Sequence, residues 1–304
     1  MPAYETYKCK EDNSLFESLN NQTNIDFNDI EVLICRGDNE NIVPEISQFT
    51  NIAPVTRFII TQGVNGSPGY NRKLGLDNAR GRYVSFLDID DELASEDILS
   101  GLLTEIESNN YPDIIDMPFI SDNGDGGQYY VDNKNPFQLW SSIYKLSFIR
   151  ENQISFTPRY YGEDLTFVIE ADTCNPVRYY YNKYFYKYKL RSNSAITQRI
   201  AKYELFVTDT INIYTDLKEW GQRVNYPGTS YDIRFLLNIY PLLGRELNSQ
   251  IFNQLPNKTK IDCIDIVEEM LTRYRPLINI SPQILGAVKD AQDLLDKFIS
   301  EVKI

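Results

Sequence analysis

Asn71-Arg72-Lys73-Leu74-Gly75-Leu76-Asp77-Asn78-Ala79-Arg80-Gly81-Arg82-Tyr83-Val84-Ser85-Phe86-Leu87-Asp88-Ile89-Asp90-Asp91 reads as a basic helix start, a short buried strand and a cluster of carboxylates. Tyr83 to Leu87 is apolar and β-prone on both faces, with Gly81 before it and charge after it, which predicts a central strand of a parallel sheet. The carboxyl end of such a strand is the ligand edge of an open α/β sheet. In extended backbone alternate residues share a face, so Asp88 and Asp90 are expected to project together about 6.5–7 Å apart, with Asp91 facing the other way. Two like-facing carboxylates repel unless a cation sits between them. Hard oxygen donors suit Mn²⁺ or Mg²⁺, which take their remaining ligands from water and substrate phosphates. Alone, Asp-x-Asp is short enough to be a solvated turn ahead of a helix at Ser95-Glu96-Asp97.

The residues upstream make the pattern more specific. The segment resembles the family 2 glycosyltransferases, whose pattern runs Ala-Arg-Asn-x-Gly-hydrophobic-x-x-Ala-x-Gly-x-Tyr-hydrophobic-x-Phe-Leu-Asp-x-Asp-Asp. An ungapped match places Arg72, Gly75, Ala79 and Gly81 on their counterparts and Asp88-Ile89-Asp90 on the metal motif, while Lys73 stands where Asn is usual. Asn65-Gly66 is similar to the Asn-x-Gly loop before this helix. A second block, Trp140-Ser141-Ser142-Ile143-Tyr144-Lys145 to Phe148, then Ile154-Ser155-Phe156, then Gly162-Glu163-Asp164-Leu165, resembles the family's Trp-x-Lys-hydrophobic-Tyr, Phe and Glu-Asp-Leu sequence in order and spacing. A third, Tyr186-Lys187-Tyr188-Lys189-Leu190-Arg191-Ser192-Asn193-Ser194, looks like the family's Tyr-x-Tyr-Arg-x-Arg-x-x-Ser closure.

The resemblance implies an α/β protein of the GT-A (nucleotide-diphospho-sugar transferase) fold, with a mostly parallel central sheet, metal-dependent and inverting. It implies Asp164 as general base, with Glu163 and Trp140 on the acceptor side. Asp88 and Asp90 are implied as ligands of Mn²⁺ or Mg²⁺, Asp88 also placing the ribose or donor sugar. Arg72, Lys189, Arg191 and Ser194 are implied to hold the nucleotide-sugar. Pro2 and Tyr4 fall where the family's opening strand ends Pro-x-Tyr-Asn, with a first strand short or missing. Where relatives carry Asp-Asp-Gly-Ser, whose first Asp reads the uracil, this chain has Cys35-Arg36-Gly37-Asp38, so Asp38 is the substitute and the base is open. The implied reaction moves a hexose from a nucleotide-diphosphate sugar, a UDP-sugar first, to a hydroxyl of a glycan or other acceptor, in surface polysaccharide synthesis.

Two other readings stand beside it. Between Arg178 and Arg191 there are five cations and no acid among seven aromatics. Such a strip can stack bases, which motivates a phage-type enzyme that glycosylates hydroxymethylated DNA, and it also fits a half-buried strand with packed tyrosines and solvated lysines. The altered second strand motivates a sugar-nucleotide binding module without turnover. Glu163 and Asp164 taken alone would do no more than complement a helix dipole.

Composition bounds these readings. With 304 residues and 42% hydrophobic content the chain can bury a substantial core. Forty-three acids against thirty bases give a net charge of −13, which disfavours duplex DNA and anionic lipid unless a local patch overrides it. There is no histidine, which excludes His triads and His-ligated zinc and removes the His that relatives place in a late loop as third metal ligand. Cys9, Cys35, Cys174 and Cys263 show no Cys-x-x-Cys spacing, so neither a zinc site nor a disulfide framework is indicated and a reducing, cytoplasmic setting is expected. No stretch reaches about 18 apolar residues, so no membrane span is expected.

Along the chain, helix Ser14–Gln22, strands Glu31–Cys35, Arg57–Thr61 and Asp113–Met117, and a hairpin turn at Asp122–Gly127 are predicted around the central block. Alternating strands and helices over 1–197 predict the catalytic domain. A helical region follows over 198–304, with amphipathic runs near Ala201–Trp220, Tyr231–Leu247, Lys260–Tyr274 and Ser281–Val302. The last run, capped by Ser281 and Pro282, suits core packing or a homo-oligomer contact better than a membrane surface.

Overall fold

The computed structural model describes residues 13–37, 45–62, 66–122, 127–132, 138–190, 201–226 and 254–274, together with 289, 293 and 296. In chain order the elements are α1 (Ser14–Asn20), β1 (Val32–Gly37), β2 (Thr56–Thr61), α2 (Pro68–Asn78), β3 (Tyr83–Ser85), β4 (Glu92–Leu93), α3 (Ile98–Ser108), β5 (Ile114–Asp116), β6 (Phe119–Asp122), β7 (Gln128–Val131), β8 (Ser142–Lys145), α4 (Leu146–Glu151), α5 (Glu163–Thr173), β9 (Arg178–Tyr180), β10 (Tyr186–Lys189), α6 (Tyr203–Arg223) and α7 (Asn257–Tyr274). They divide into two compact units, Met1–Thr197 and Gln198–Ile304.

The first unit is an alternating α/β structure. Strands β1 and β2 pair in parallel, Val32 opposite Thr56. A second sheet runs β3-β8-β5-β9, with β8 antiparallel to both β3 and β5 and β9 parallel to β5. Strand β3, read from sequence as a central strand of a parallel sheet, is instead at the edge of this one and pairs antiparallel with β8. The chain leaves β5, turns through β6 and β7, and returns through Leu139–Ser141 in the opposite sense. A third sheet runs β4-β10-β6-β7; β10 is parallel to β6 and antiparallel to the two-residue β4. The hairpin foreseen at Asp122–Gly127 joins β6 to β7, although its tip lies outside the described residues.

Side-chain alternation across the second sheet separates two cores. Ile115 and Ile143 face one side, where they meet Leu15, Phe16 and Leu19 of α1 and Ile98, Leu102 and Ile106 of α3. Ile114 and Tyr144, their chain neighbours, face the other side and meet Leu76 of α2, Phe148 and Ile149 of α4, and Phe167, Val168 and Ala171 of α5. Period-two alternation in strands between helices on both faces produces this layering. After β3 the chain supplies one residue to each core, Phe86 to the second and Leu87 to the first. Phe86 packs edge-on against Phe156 and Phe167, with centroids 4.8 and 5.4 Å away.

Local signals start the two helices that matter for the site. Ser67 caps α2, its hydroxyl accepting from the Tyr70 amide at 3.2 Å, and Pro68 occupies the first turn. Helix α5 begins after Gly162, whose φ of 77° is a left-handed value that glycine adopts without strain.

In the second unit, α6 buries Val207, Thr210, Tyr214, Leu217 and Gly221 at helical spacing, with Trp220 fully enclosed. Helix α7 packs against it, tied by Lys218 to Glu269 and by Thr259 to Glu204 at 2.9 Å. The run predicted at Tyr231–Leu247 lies outside the described residues. Of the run at Ser281–Val302, Lys289, Asp293 and Asp296 are described; they are helical and exposed.

Candidate active site

The acidic cluster does not continue strand β3. The ladder ends at Ser85, Ile89 and Asp90 form a turn, and the Asp91 amide donates back to the Asp88 carbonyl at 3.2 Å. The spacing expected from extended backbone therefore does not apply, since Asp88 and Asp90 belong to a turn whose two half-buried carboxylates flank the buried Ile89. Asp91, which carried no role in the sequence reading, is 1% exposed. Its Oδ2 accepts from the Tyr186 hydroxyl at 2.6 Å and its Oδ1 from the Lys189 amide at 2.7 Å. Burial, then the charge of Asp88, push its carboxyl up to about 8.

The second cluster opens helix α5. Glu163 is 4% exposed, whereas Asp164 is half-buried and accepts from the Leu165 amide at 2.8 Å. Burial, then Asp164, raise the Glu163 carboxyl to about 8, against the pull of Arg72. Glu163, expected from sequence on the acceptor side, is enclosed and pairs its carboxyl group with Arg72. Its partner lies 91 positions away, so no local signal announces the pairing.

Arg72 unites the two clusters. Its Nη2 donates to Asp88 Oδ1 at 2.9 Å and its Nη1 to Glu163 Oε1, with the guanidinium side chain 10% exposed. Burial opposes its charge, but Asp88, Glu163 and Asp164 together outweigh burial and raise the guanidinium further. Among the described residues its Nε is buried without a hydrogen-bond partner. Two glycines bring Arg72 there. A Cβ on Gly66 would lie 1.8 Å from the Gly37 carbonyl oxygen, and one on Gly69 would lie 1.9 Å from that of Thr157 and 3.0 Å from Glu163 Cβ. Gly69 also donates its amide to the Arg159 carbonyl at 3.1 Å. Asn71, fully buried, accepts from the Gly37 amide at 2.8 Å. The start of α2 is thereby fastened to both the end of β1 and the loop before α5.

The basic aromatic strip divides between β9 and β10, which belong to different sheets, and its β10 part is half-buried. Trp140 stacks on Tyr186 at 4.8 Å and on Tyr188 at 5.4 Å, with Phe119 edge-on at 4.6 Å. Lys187 and Lys189 both reach Glu92, at 2.8 Å each. These tyrosines and lysines are thus committed within the sheet. Lys189, assigned to the diphosphate from sequence, has its amide on Asp91 and its ammonium on Glu92. Pro2, Tyr4, Asp38, Arg191 and Ser194 lie outside the described residues. A cavity of about 330 Å³ lined by Gly81, Arg82, Leu146, Ser147, Arg150 and Glu151 contains none of these site residues.

The family model described as Glycosyl transferase family 2 matches residues 6–185, the span that carries the acidic turn, Arg72 and the start of α5. The chain belongs to glycosyl transferase family 2. It is a glycosyltransferase of the GT-A type, and solved structures share its fold. TarS from S. aureus superposes with a TM-score of 0.61 at 16% identity over 99% of this chain and 53% of TarS, so the chain spans about half of that protein. TarS 1-349 in complex with UDP-GlcNAc gives 0.61 at 17% identity over 98% of this chain and 90% of the other. The mannosyltransferase PcManGT from Pyrobaculum calidifontis, in complex with GDP-Man and Mn²⁺, gives 0.51 at 11% identity over 96% and 84%. A sequence comparison with curated proteins finds no match. Among the described residues no helix is long and apolar enough to cross a membrane.

Proposed function

We propose that this family 2 glycosyltransferase moves a hexose from a nucleoside-diphosphate sugar, a UDP-sugar first, to a hydroxyl of a glycan in surface polysaccharide synthesis, with inversion at the anomeric carbon. One observation carries the reading. Arg72 gathers the acidic turn and the α5 start around one guanidinium, so donor-side and base-side acids share a site. The complexes of TarS 1-349 with UDP and with UDP-GlcNAc support the choice of donor.

Asp164 takes the proton of the acceptor hydroxyl as its oxygen bonds to the anomeric carbon and the bond to the diphosphate oxygen breaks. A base in that role must sit within hydrogen-bond reach of the hydroxyl, on the face away from the leaving group. Glu163 holds Arg72, which keeps a positive charge beside the turn where diphosphate charge develops. Asp88 and Asp90 carry hard carboxylate oxygens on one turn and would hold a divalent cation. Among the described residues no three His, Cys, Asp or Glu side chains are arranged to hold a metal between them, so a cation there would need oxygens from beyond these two side chains. When bound, Mn²⁺ or Mg²⁺ supplies Lewis-acid stabilisation of the departing nucleoside diphosphate.

Incubating the protein with UDP-glucose, UDP-GlcNAc or GDP-mannose and Mn²⁺ tests the proposal. Release of the nucleoside diphosphate is expected with at least one donor, lost on chelation, and NMR of the product should show the anomer opposite to the donor's. A product that keeps the donor's anomeric configuration contradicts it.

A further inference from the structure

We infer that Asp91 and Tyr186 are positioning residues for the donor side of the site: they hold the Asp88–Asp90 turn in place from strand β10. The inference rests on the proposed function, because it assigns these residues a task in presenting Asp88 and Asp90 to a metal-bound nucleotide sugar.

The need for such a device follows from where β3 stops. Between Ser85 and Glu92 no ladder holds the backbone, yet the two carboxylates offered to the donor lie three and five positions past Ser85. A loosely held turn would have to be ordered on each binding event, at a cost in conformational entropy. A closed ring of hydrogen bonds orders it beforehand. The Asp91 amide donates to the Asp88 carbonyl at 3.2 Å, the Asp88 amide to the Tyr186 hydroxyl at 2.9 Å, and that hydroxyl to Asp91 Oδ2 at 2.6 Å. Lys189 closes the other oxygen, its amide donating to Asp91 Oδ1 at 2.7 Å.

Each member suits its place. Only a hydroxyl can accept from Asp88 and donate to Asp91 at the same point. The Tyr186 ring cannot swing away, since it is 0% exposed and stacked on Trp140 at 25° between ring planes. Asp91 spends both oxygens on strand β10, and at 1% exposure it is enclosed where its neighbours Asp88 and Asp90 are half-buried. Partners that orient metal-ligating side chains typically contribute 10- to 100-fold to metal affinity or activity.

The test compares the full chain with Tyr186→Phe, Asp91→Asn and Asp164→Asn. Tyr186→Phe keeps the ring and its stacking while removing both hydroxyl hydrogen bonds. Thermal stabilisation by UDP is titrated with Mn²⁺, alongside melting of the metal-free protein and turnover. Tyr186→Phe is expected to raise the half-saturating Mn²⁺ concentration about tenfold, with turnover recovering at high Mn²⁺, and Asp91→Asn to act in the same direction. Asp164→Asn should leave the Mn²⁺ titration at the wild-type position. Unchanged half-saturating Mn²⁺ in a folded Tyr186→Phe or a folded Asp91→Asn, with only the melting point lowered, would reduce the ring to a core hydrogen-bond network and overturn the inference alone. A wild type that gains no stability from UDP, UDP-GlcNAc or GDP-mannose in Mn²⁺ overturns the proposed function and this inference together.

Discussion

The acidic turn at Asp88–Asp91 and the start of α5 at Glu163–Asp164 solve the same problem with different backbones. In each, one carboxylate is buried and fastens the structure, while a neighbouring acid stays half-buried toward the site. Asp91 at 1% exposure binds strand β10, and Glu163 at 4% binds Arg72. On the turn, which has no repeating hydrogen bonds of its own, the buried acid orders the backbone. On the helix, whose backbone is already ordered, the buried acid instead fixes a cation. The difference shows that an acid's task here follows from what its backbone lacks.

The largest effect in stability should come from the residue common to both regions. Measured above about pH 8, where enclosed Glu163 is ionised, Arg72→Ala removes its counter-charge and should cost about 3–5 kcal/mol in chemical denaturation, together with loss of transfer. A variant as stable as wild type would break the idea that the two regions are joined through this guanidinium. Gly69→Ala comes next. Its new methyl would meet the Thr157 carbonyl oxygen, and overpacking of this kind costs about 1–3 kcal/mol. Because the same contact leads to Glu163, transfer should fall more than UDP binding does, and an equal fall in both would show that the contact does not favour the base side.

The buried acids also make stability depend on pH. Asp91 and Glu163 both have carboxyls raised to about 8 in the folded chain, chiefly by burial. An unfolded chain releases these protons near pH 4, so between about pH 4 and 8 the folded state binds more protons than the unfolded one. Stability of the metal-free protein should therefore fall as pH rises through that window, read as a falling melting temperature. Asp91→Asn and Glu163→Gln should each flatten part of the slope. A melting point that rises from pH 5.5 to 8 would contradict the assignment of these two acids as the buried members.

The sequence made some of this legible and hid the rest for physical reasons. Motifs carried by consecutive residues, such as Arg72 to Asp90 and Gly162 to Leu165, could be read because their chemistry is local. Period-two reasoning failed at Asp88 because Phe86 and Leu87 look like strand whether or not a ladder continues, and the ladder stops at Ser85. Asp91 was passed over because its partner Tyr186 is 95 positions away, and the pairing of Glu163 was not legible because Arg72 is 91 away. Lys189 looked available for a diphosphate because nothing along the chain shows that β10 pairs with β4, which sets Glu92 opposite Lys187 and within reach of Lys189. Gly69 reads from sequence as the end of a loop, and the structure puts it in the first turn of α2, where another backbone comes close.

The central claim is that the two regions divide the work, with the turn presenting the donor and Asp164 receiving the acceptor's proton. Turnover and Mn²⁺-dependent UDP binding measured on one preparation of Asp164→Asn test it most directly. The account predicts transfer lower by about 10²–10⁴-fold, the usual contribution of a positioned base, with UDP affinity as in wild type. Transfer that survives at more than a tenth of the wild-type rate, or UDP binding lost along with it, would contradict the claim.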